Sequence, residues 1–236
     1  MNKSILKDFC IGLDLVMNMK KILLAICICV LSIPLSSYTY YAKTNDNLII
    51  VAHPDDETIW AGEHLIRGSY TVLCITNGNN KTRKAEFEKV LKQTNSEGRI
   101  LSFPDKTNGK RDNWKSCKNE ITEEIKKIID SKDWSTIVCH NPDGEYGHIH
   151  HKMVSQIVTN ILKSEKNTDK LIYFGKYTCR KNKDQLKNEK SLSSKYYKQK
   201  LKLCDIYSSQ SKVMNHLHHM LKYENWIPYK NWDKMK

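Results

Sequence analysis

His53-Pro54-Asp55-Asp56-Glu57-Thr58 places one imidazole and three carboxylates in six consecutive positions, directly behind the apolar run Leu48-Ile49-Ile50-Val51-Ala52. Carboxylates crowded in this way repel and raise one another's pKa unless a cation or hydrogen-bond donors compensate. The grouping has the composition of a metal site with its own general base. A second cluster, His140-Asn141-Pro142-Asp143-Gly144-Glu145-Tyr146-Gly147-His148-Ile149-His150-His151, follows another short apolar run, Ser135-Thr136-Ile137-Val138-Cys139. His53 and Asp56 lie three apart in a turn, and His148 and His151 lie three apart on one face of a nascent helix. Imidazole and carboxylate suit catalytic zinc, which takes three protein ligands and keeps one position open. His150 falls off the His148/His151 face and is expected at the surface, and His140 is expected either to contact the site or to make a strand-end hydrogen bond.

The elements that must position these residues follow from hydrophobic periodicity. Strands are expected at 47–52, 70–76, 99–103, 135–139 and 171–174, and helices at 59–66, 82–93, 114–129 and from Gly147 onward. A loop is expected at 104–113, and the chain beyond Asn188 reads as mainly helical. Strands alternating with helices argue for βαβ units around a parallel sheet. Ligands of such sheets bind outside the carboxyl ends of strands where the strand order reverses, so two strand ends distant in sequence can share one site.

Ala52-His53-Pro54-Asp55-Asp56-Glu57, followed in order by Gly147-His148-Ile149-His150-His151, resembles the paired motifs of the PIG-L / LmbE-like family of zinc-dependent N-acetylglucosaminyl de-N-acetylases. The resemblance covers roughly 47–174. It implies an α/β, Rossmann-like three-layer fold with a mostly parallel sheet, with the first and fourth strands adjacent, plus a helical C-terminal extension. It assigns His53, Asp56 and His151 to the metal, Asp55 to the general base, and His148 to the developing oxyanion with Tyr146 as a second donor. Glu57 and Asp143 are expected to orient these groups. Thr76, Gly78, Arg83 and Glu86 resemble a weaker family pattern that implicates Arg83 in gripping a sugar hydroxyl or phosphate. Its alternative is a helix-surface arginine paired to Glu86. Nothing catalytic is carried over for Tyr207, Ser209, Gln210 or Glu224.

The implied activity is hydrolysis of the acetyl amide of an N-acetylated amino sugar, an N-acetylglucosaminyl glycolipid or glycoconjugate. Deacetylation of a small thiol-precursor glycoside or another amide is the enzymatic alternative, and a non-catalytic carbohydrate-binding homologue the other. Zinc is the expected ion, and the same donor set also suits ferrous iron.

The chain has 236 residues and a formal net charge of +13. The charge spreads through Lys-rich segments, densest from Lys176 to Lys202, without an aromatic-interleaved stripe, which sets nucleic acid aside. A solvated surface accounts for it, and attraction to an anionic membrane, envelope surface or substrate is the sharper reading. The eight cysteines show neither metal-type pairing nor a disulfide framework, so Cys74 and Cys139 are expected as core thiols. His216, His218 and His219 are expected on a solvated helix face.

Lys20 and Lys21 precede the apolar run Ile22 to Leu35, whose length suits a signal peptide better than the roughly 20 residues of a bilayer span. The expected organisation is a leader at 1–18, with translation starting at Met17 or Met19, a signal peptide or N-terminal anchor at 19–42, and the deacetylase domain at 45–236. This predicts export or membrane anchoring.

Overall fold

A computed structural model describes residues 46–235, which lie within one compact unit. The leader and the apolar targeting segment expected at 1–42 lie outside the described residues. None of the described helices is long and apolar enough to cross a membrane.

The centre is a six-stranded sheet of order β3-β2-β1-β6-β7-β8. Its members are β1 (Asn47–Val51), β2 (Thr71–Thr76), β3 (Glu97–Phe103), β6 (Thr136–Cys139), β7 (Leu171–Tyr173) and β8 (Ile227–Pro228). The first five run parallel, and β8 closes the far edge antiparallel to β7. The chain steps outward from β1 through β2 to β3, then returns to the other side of β1 to lay down β6. The strand order therefore reverses between β1 and β6, as the family resemblance implies, and their register pairs Ile50 with Cys139.

Strands covered on both faces read as continuous apolar runs, because successive side chains enter opposite layers. Leu48 and Ile50 of β1 pack in one layer with Ile121, Ile125, Val154 and Val158, carried by α3 (Lys118–Ile129) and α4 (Ile149–Ser164). Ile49 and Val51 enter the other layer with Ile59, Leu65, Phe87 and Val90 of α1 (Asp56–Arg67) and α2 (Lys81–Gln93). The C-terminal helices α5 (Ser194–Cys204) and α6 (Ser211–Leu217) add to that second layer through Cys204, Met214 and Leu217, and α7 (Tyr229–Trp232) returns Trp232 to the first. Cys74 and Cys139 are buried in their strands, and none of the described cysteines is disulfide-bonded.

Two expectations change. The segment expected as a plain loop contains a hairpin, β4 (Lys106–Thr107) with β5 (Lys110–Arg111). Its turn residues Asn108 and Gly109 have φ of 52° and 75°, the left-handed pair that Asn-Gly supplies to a two-residue hairpin. Trp114, expected in a helix, precedes α3 in a left-handed conformation and is fully buried, its indole N–H bonded to the Pro104 carbonyl. The hairpin and this tryptophan turn the 104–114 segment back over the end of β1.

Candidate active site

Asp55 caps α1, and its carbonyl accepts the N–H groups of Thr58 (3.0 Å) and Ile59 (2.9 Å). The turn this builds brings His53 and Asp56 together: the backbone N–H of His53 donates to Asp56 Oδ2 at 2.8 Å, and His53 Nδ1 lies 3.1 Å from the same oxygen. The end of β6 and the start of α4 deliver His151, whose Nε2 lies 3.3 Å from Asp56 Oδ2 and 3.3 Å from His53 Nδ1. Atoms bound to a tetrahedral zinc stand roughly 3.3–3.5 Å apart, so one N/N/O triangle here already has the size of a zinc coordination face.

Of the other imidazoles at this point, His140 also touches the triangle, its Nε2 lying 3.4 Å from Asp56 Oδ2, and each has a nitrogen bonded to the backbone. The Ala52 N–H donates to His140 Nε2 at 3.0 Å, and His148 Nδ1 accepts the His150 N–H at 3.2 Å. His151 Nδ1 bonds Glu145 Oε2 at 2.5 Å, which leaves its Nε2 lone pair directed at the triangle. Glu145 also takes His140 Nδ1 at 3.0 Å and the Asn141 N–H at 2.9 Å, so one buried carboxylate orients two imidazoles and the loop between them. Burial alone would raise Glu145, but His140 and His151 outweigh it and hold the group near 2.

Asp55 lines the same cleft as His53 and Asp56. Arg83 Nη2 bonds the Pro54 carbonyl at 2.5 Å and Asp55 Oδ1 at 3.2 Å. Burial and the neighbouring Asp56 push the Asp55 carboxyl upward, and Arg83 pulls against them. Asp56 is held well below the ordinary range, because the imidazoles of His151, His140 and His53 overcome its own burial. Burial, then the positive fields of His151 and His53, depress His148 to about 2, so it is neutral. With Nδ1 accepting, its proton sits on Nε2. Tyr146 stands over His151 and His148 with ring centroids 5.5 and 6.0 Å away.

His53, Asp55, Asp56, Arg83, Tyr146 and His148 line a cleft of about 580 Å³. The hairpin contributes Asp105, Lys106 and Arg111 to its wall, and the C-terminal part contributes Gln210, Lys212 and His216.

The structure thus gathers His53, Asp55, Asp56, Arg83, Tyr146, His148 and His151 in one place. Several local expectations need correction. His150 is fully buried, not exposed, because the 104–114 segment folds over it: its ring stacks on Trp114 at 4.1 Å and 7°. Asp143 is exposed, and Glu145 does the orienting expected of it. Arg83 does not sit on a helix surface against Glu86, whose carboxylate is instead engaged by Ser209. Glu57 does orient its surroundings, holding the Asp55 N–H (3.1 Å) and the Tyr207 hydroxyl (2.6 Å), so the C-terminal part reaches the site through Tyr207. His216 lines the cleft. Sequence reasoning missed the roles of Glu145, His150 and Asp105. A carboxylate between ligand-type histidines was a usable signal for the first, whereas the other two depend on the hairpin.

Residues 48–162 match the family model described as GlcNAc-PI de-N-acetylase, PIG-L. The chain is 27% identical over 223 residues to an uncharacterised protein of Acanthamoeba polyphaga mimivirus, covering 85% of this chain and 90% of that one. Among solved structures it shares its fold with a pseudoaglycone deacetylase, Dbv21, at a TM-score of 0.55 and 16% identity, over 72% of this chain and 84% of that one.

Proposed function

We propose, from the premise that residues 48–162 belong to the PIG-L family, that this protein is a metal-dependent deacetylase that hydrolyses the acetyl amide of an N-acetylated amino sugar. The observation that carries the reading is the triangle of His53 Nδ1, Asp56 Oδ2 and His151 Nε2, with sides of 3.1, 3.3 and 3.3 Å, beside the Arg83-held carboxylate of Asp55. The donor set fits zinc, and ferrous iron by the same chemistry. Bound there, a divalent cation supplies Lewis acidity, polarising the amide carbonyl and lowering the pKa of water toward neutrality.

The chain's own residues do the rest. Asp55 accepts a proton from the attacking water as its oxygen bonds the carbonyl carbon. Arg83 fixes one carboxylate oxygen, leaving the other for that proton. The Nε2–H of His148 is a donor for the oxyanion of the tetrahedral intermediate, and the Tyr146 hydroxyl is a second. When the C–N bond breaks, the proton held on Asp55 passes to the departing amine, giving acetate and a free amino sugar.

Lys106, Arg111, Lys212 and His216 give the cleft a basic rim, which suits a glycolipid or glycoconjugate with an anionic group beyond the sugar. The apolar run at 22–35 supports export or anchoring of the domain, which fractionation of the native host would test. The activity is tested by incubating the zinc-loaded protein with N-acetylglucosaminides of neutral and anionic aglycones and measuring released acetate. Turnover should cease with a chelator and return with zinc. Zinc-loaded protein that releases no acetate from any of them, or an Asp55→Ala protein with full turnover, would refute the reading.

A further inference from the structure

His150 occupies the second position of α4, is fully buried, and is absent from the set of groups used above. Its Nε2 lies 2.7 Å from the backbone carbonyl of Asp112. A carbonyl only accepts, so this nitrogen carries the ring proton and Nδ1 presents a lone pair. That lone pair faces His53 Nε2 at 3.1 Å, while the indole of Trp114 covers the His150 ring and prevents it from turning. For the 3.1 Å contact to be a hydrogen bond, His53 must carry its proton on Nε2. The opposite nitrogen, Nδ1, then offers its lone pair to the triangle shared with Asp56 and His151.

We propose that His150 is a positioning residue for the metal site: as acceptor for the Nε2–H of His53 it dictates which nitrogen of that ligand faces the cation, with the Asp112 carbonyl as the fixed origin of the chain. The inference rests on reading His53, Asp56 and His151 as the metal set. It gives the 104–114 segment a role in metal binding, because Asp112 and Trp114 both lie on it. Asp105 offers a second acceptor, with Oδ1 3.4 Å from His53 Nε2 and 3.7 Å from His150 Nδ1. Its carboxylate is engaged by the Arg111 guanidinium. That guanidinium also opposes the alternative in which His53, Asp105 and His150 hold a second cation, as does the need to strip His53 of both ring protons.

The test uses the full chain with zinc alone as probe. Zinc affinity is measured by competition with a chromophoric chelator, and stoichiometry by elemental analysis. Loss of such an outer hydrogen bond typically weakens metal binding by about 10–100-fold, and this is expected for His150→Leu, which keeps bulk but has no acceptor. His150→Asn, whose amide oxygen can stand where Nδ1 stood, should recover most of the loss. His150→Gln, whose oxygen reaches further, should recover less. Wild-type affinity in His150→Leu, or equal weakening in Leu and Asn variants of equal thermal stability, would overturn the proposal. Two zinc ions per wild-type chain falling to one in His150→Leu would replace it with the second-cation reading. If His150→Leu does not fold, the Asn and Gln variants decide, since equal affinities in those two contradict the role. Failure to find any acetyl substrate would leave these affinities unchanged, whereas a wild-type protein that binds no zinc would remove the metal reading and this proposal together.

Discussion

Asp55 has φ 139° and ψ −30°, a conformation that side-chain-bearing residues rarely adopt. Such strain costs on the order of 1–3 kcal/mol and persists only where the surroundings over-determine it. Here the Asp55 carbonyl is fixed by two helix N–H groups, its N–H by Glu57 and its side chain by Arg83. In this conformation its carboxylate meets Arg83 in the cleft that His53 and Asp56 also line. An Asp55→Asn protein keeps the shape but lacks the proposed base, so kcat should fall by about 10²–10⁴-fold. Zinc content, measured on the same sample, should stay near wild type. Glu145 is the converse case, a residue that touches no reacting atom but holds His151 and His140. Glu145→Gln should weaken zinc by about 10–100-fold in a chelator competition, with kcat at saturating zinc changing far less.

At the scale of elements, the loop from β6 to α4 decides whether His148 and His151 face β1. Gly144 there has φ 68°, and a Cβ on it would lie 2.6 Å from the His148 carbonyl oxygen. Gly144→Ala is therefore expected to cost about 1–3 kcal/mol and to displace the helix start, read as a lowered denaturant midpoint together with weakened zinc binding. The Asn108-Gly109 turn is the other decisive local feature. The sequence reading has it only as part of a loop, because the strands it joins are two residues each and too short for alternation to show. What could not be read was that this hairpin would fold Trp114 onto His150 and set Asp105 beside His53.

For the molecule as a whole, the C-terminal part braces α1 from behind. That helix breaks at Ala61, which has non-helical φ −141°, so the N–H groups of Glu63 and His64 begin a new helical segment without partners in the preceding turn. Glu224 supplies the acceptor, taking the Glu63 N–H at 2.8 Å and His64 Nδ1 at 2.8 Å. Lys200 neutralises it at 2.6 Å and donates to the Ile59 carbonyl at 2.7 Å. Lys200 passes where only Gly62 leaves room, since a Cβ there would meet its chain at 2.7 Å. Removing one partner of such a buried pair costs on the order of 3–5 kcal/mol, the loss expected for Lys200→Met by chemical denaturation. Burial alone would raise Glu224, but Lys200 and then His64 hold it at about 2. That is below its ordinary value of about 4.3, so its contribution is complete above that value and drains away as pH falls toward 2. Unfolding midpoints measured across that window should fall in the wild type and flatten in Glu224→Gln. The basic rim of the cleft carries a separate expectation: KM for an anionic aglycone should rise with salt and with Lys212→Ala, while KM for a neutral one should not.

Sequence alone determined the α/β alternation, the two strand ends that carry chemistry, and the residue types there, because strand periodicity and ligand-type clusters are local in the chain. It also carried the family resemblance that set β1 beside the fourth strand. Tertiary structure decided which imidazole nitrogens are free and which are spent. That depends on partners distant in sequence: the Ala52 N–H on His140, Glu145 on His151, and the Asp112 carbonyl with Trp114 on His150. A histidine's role is set by what its second nitrogen meets, and only the folded chain brings that partner to it.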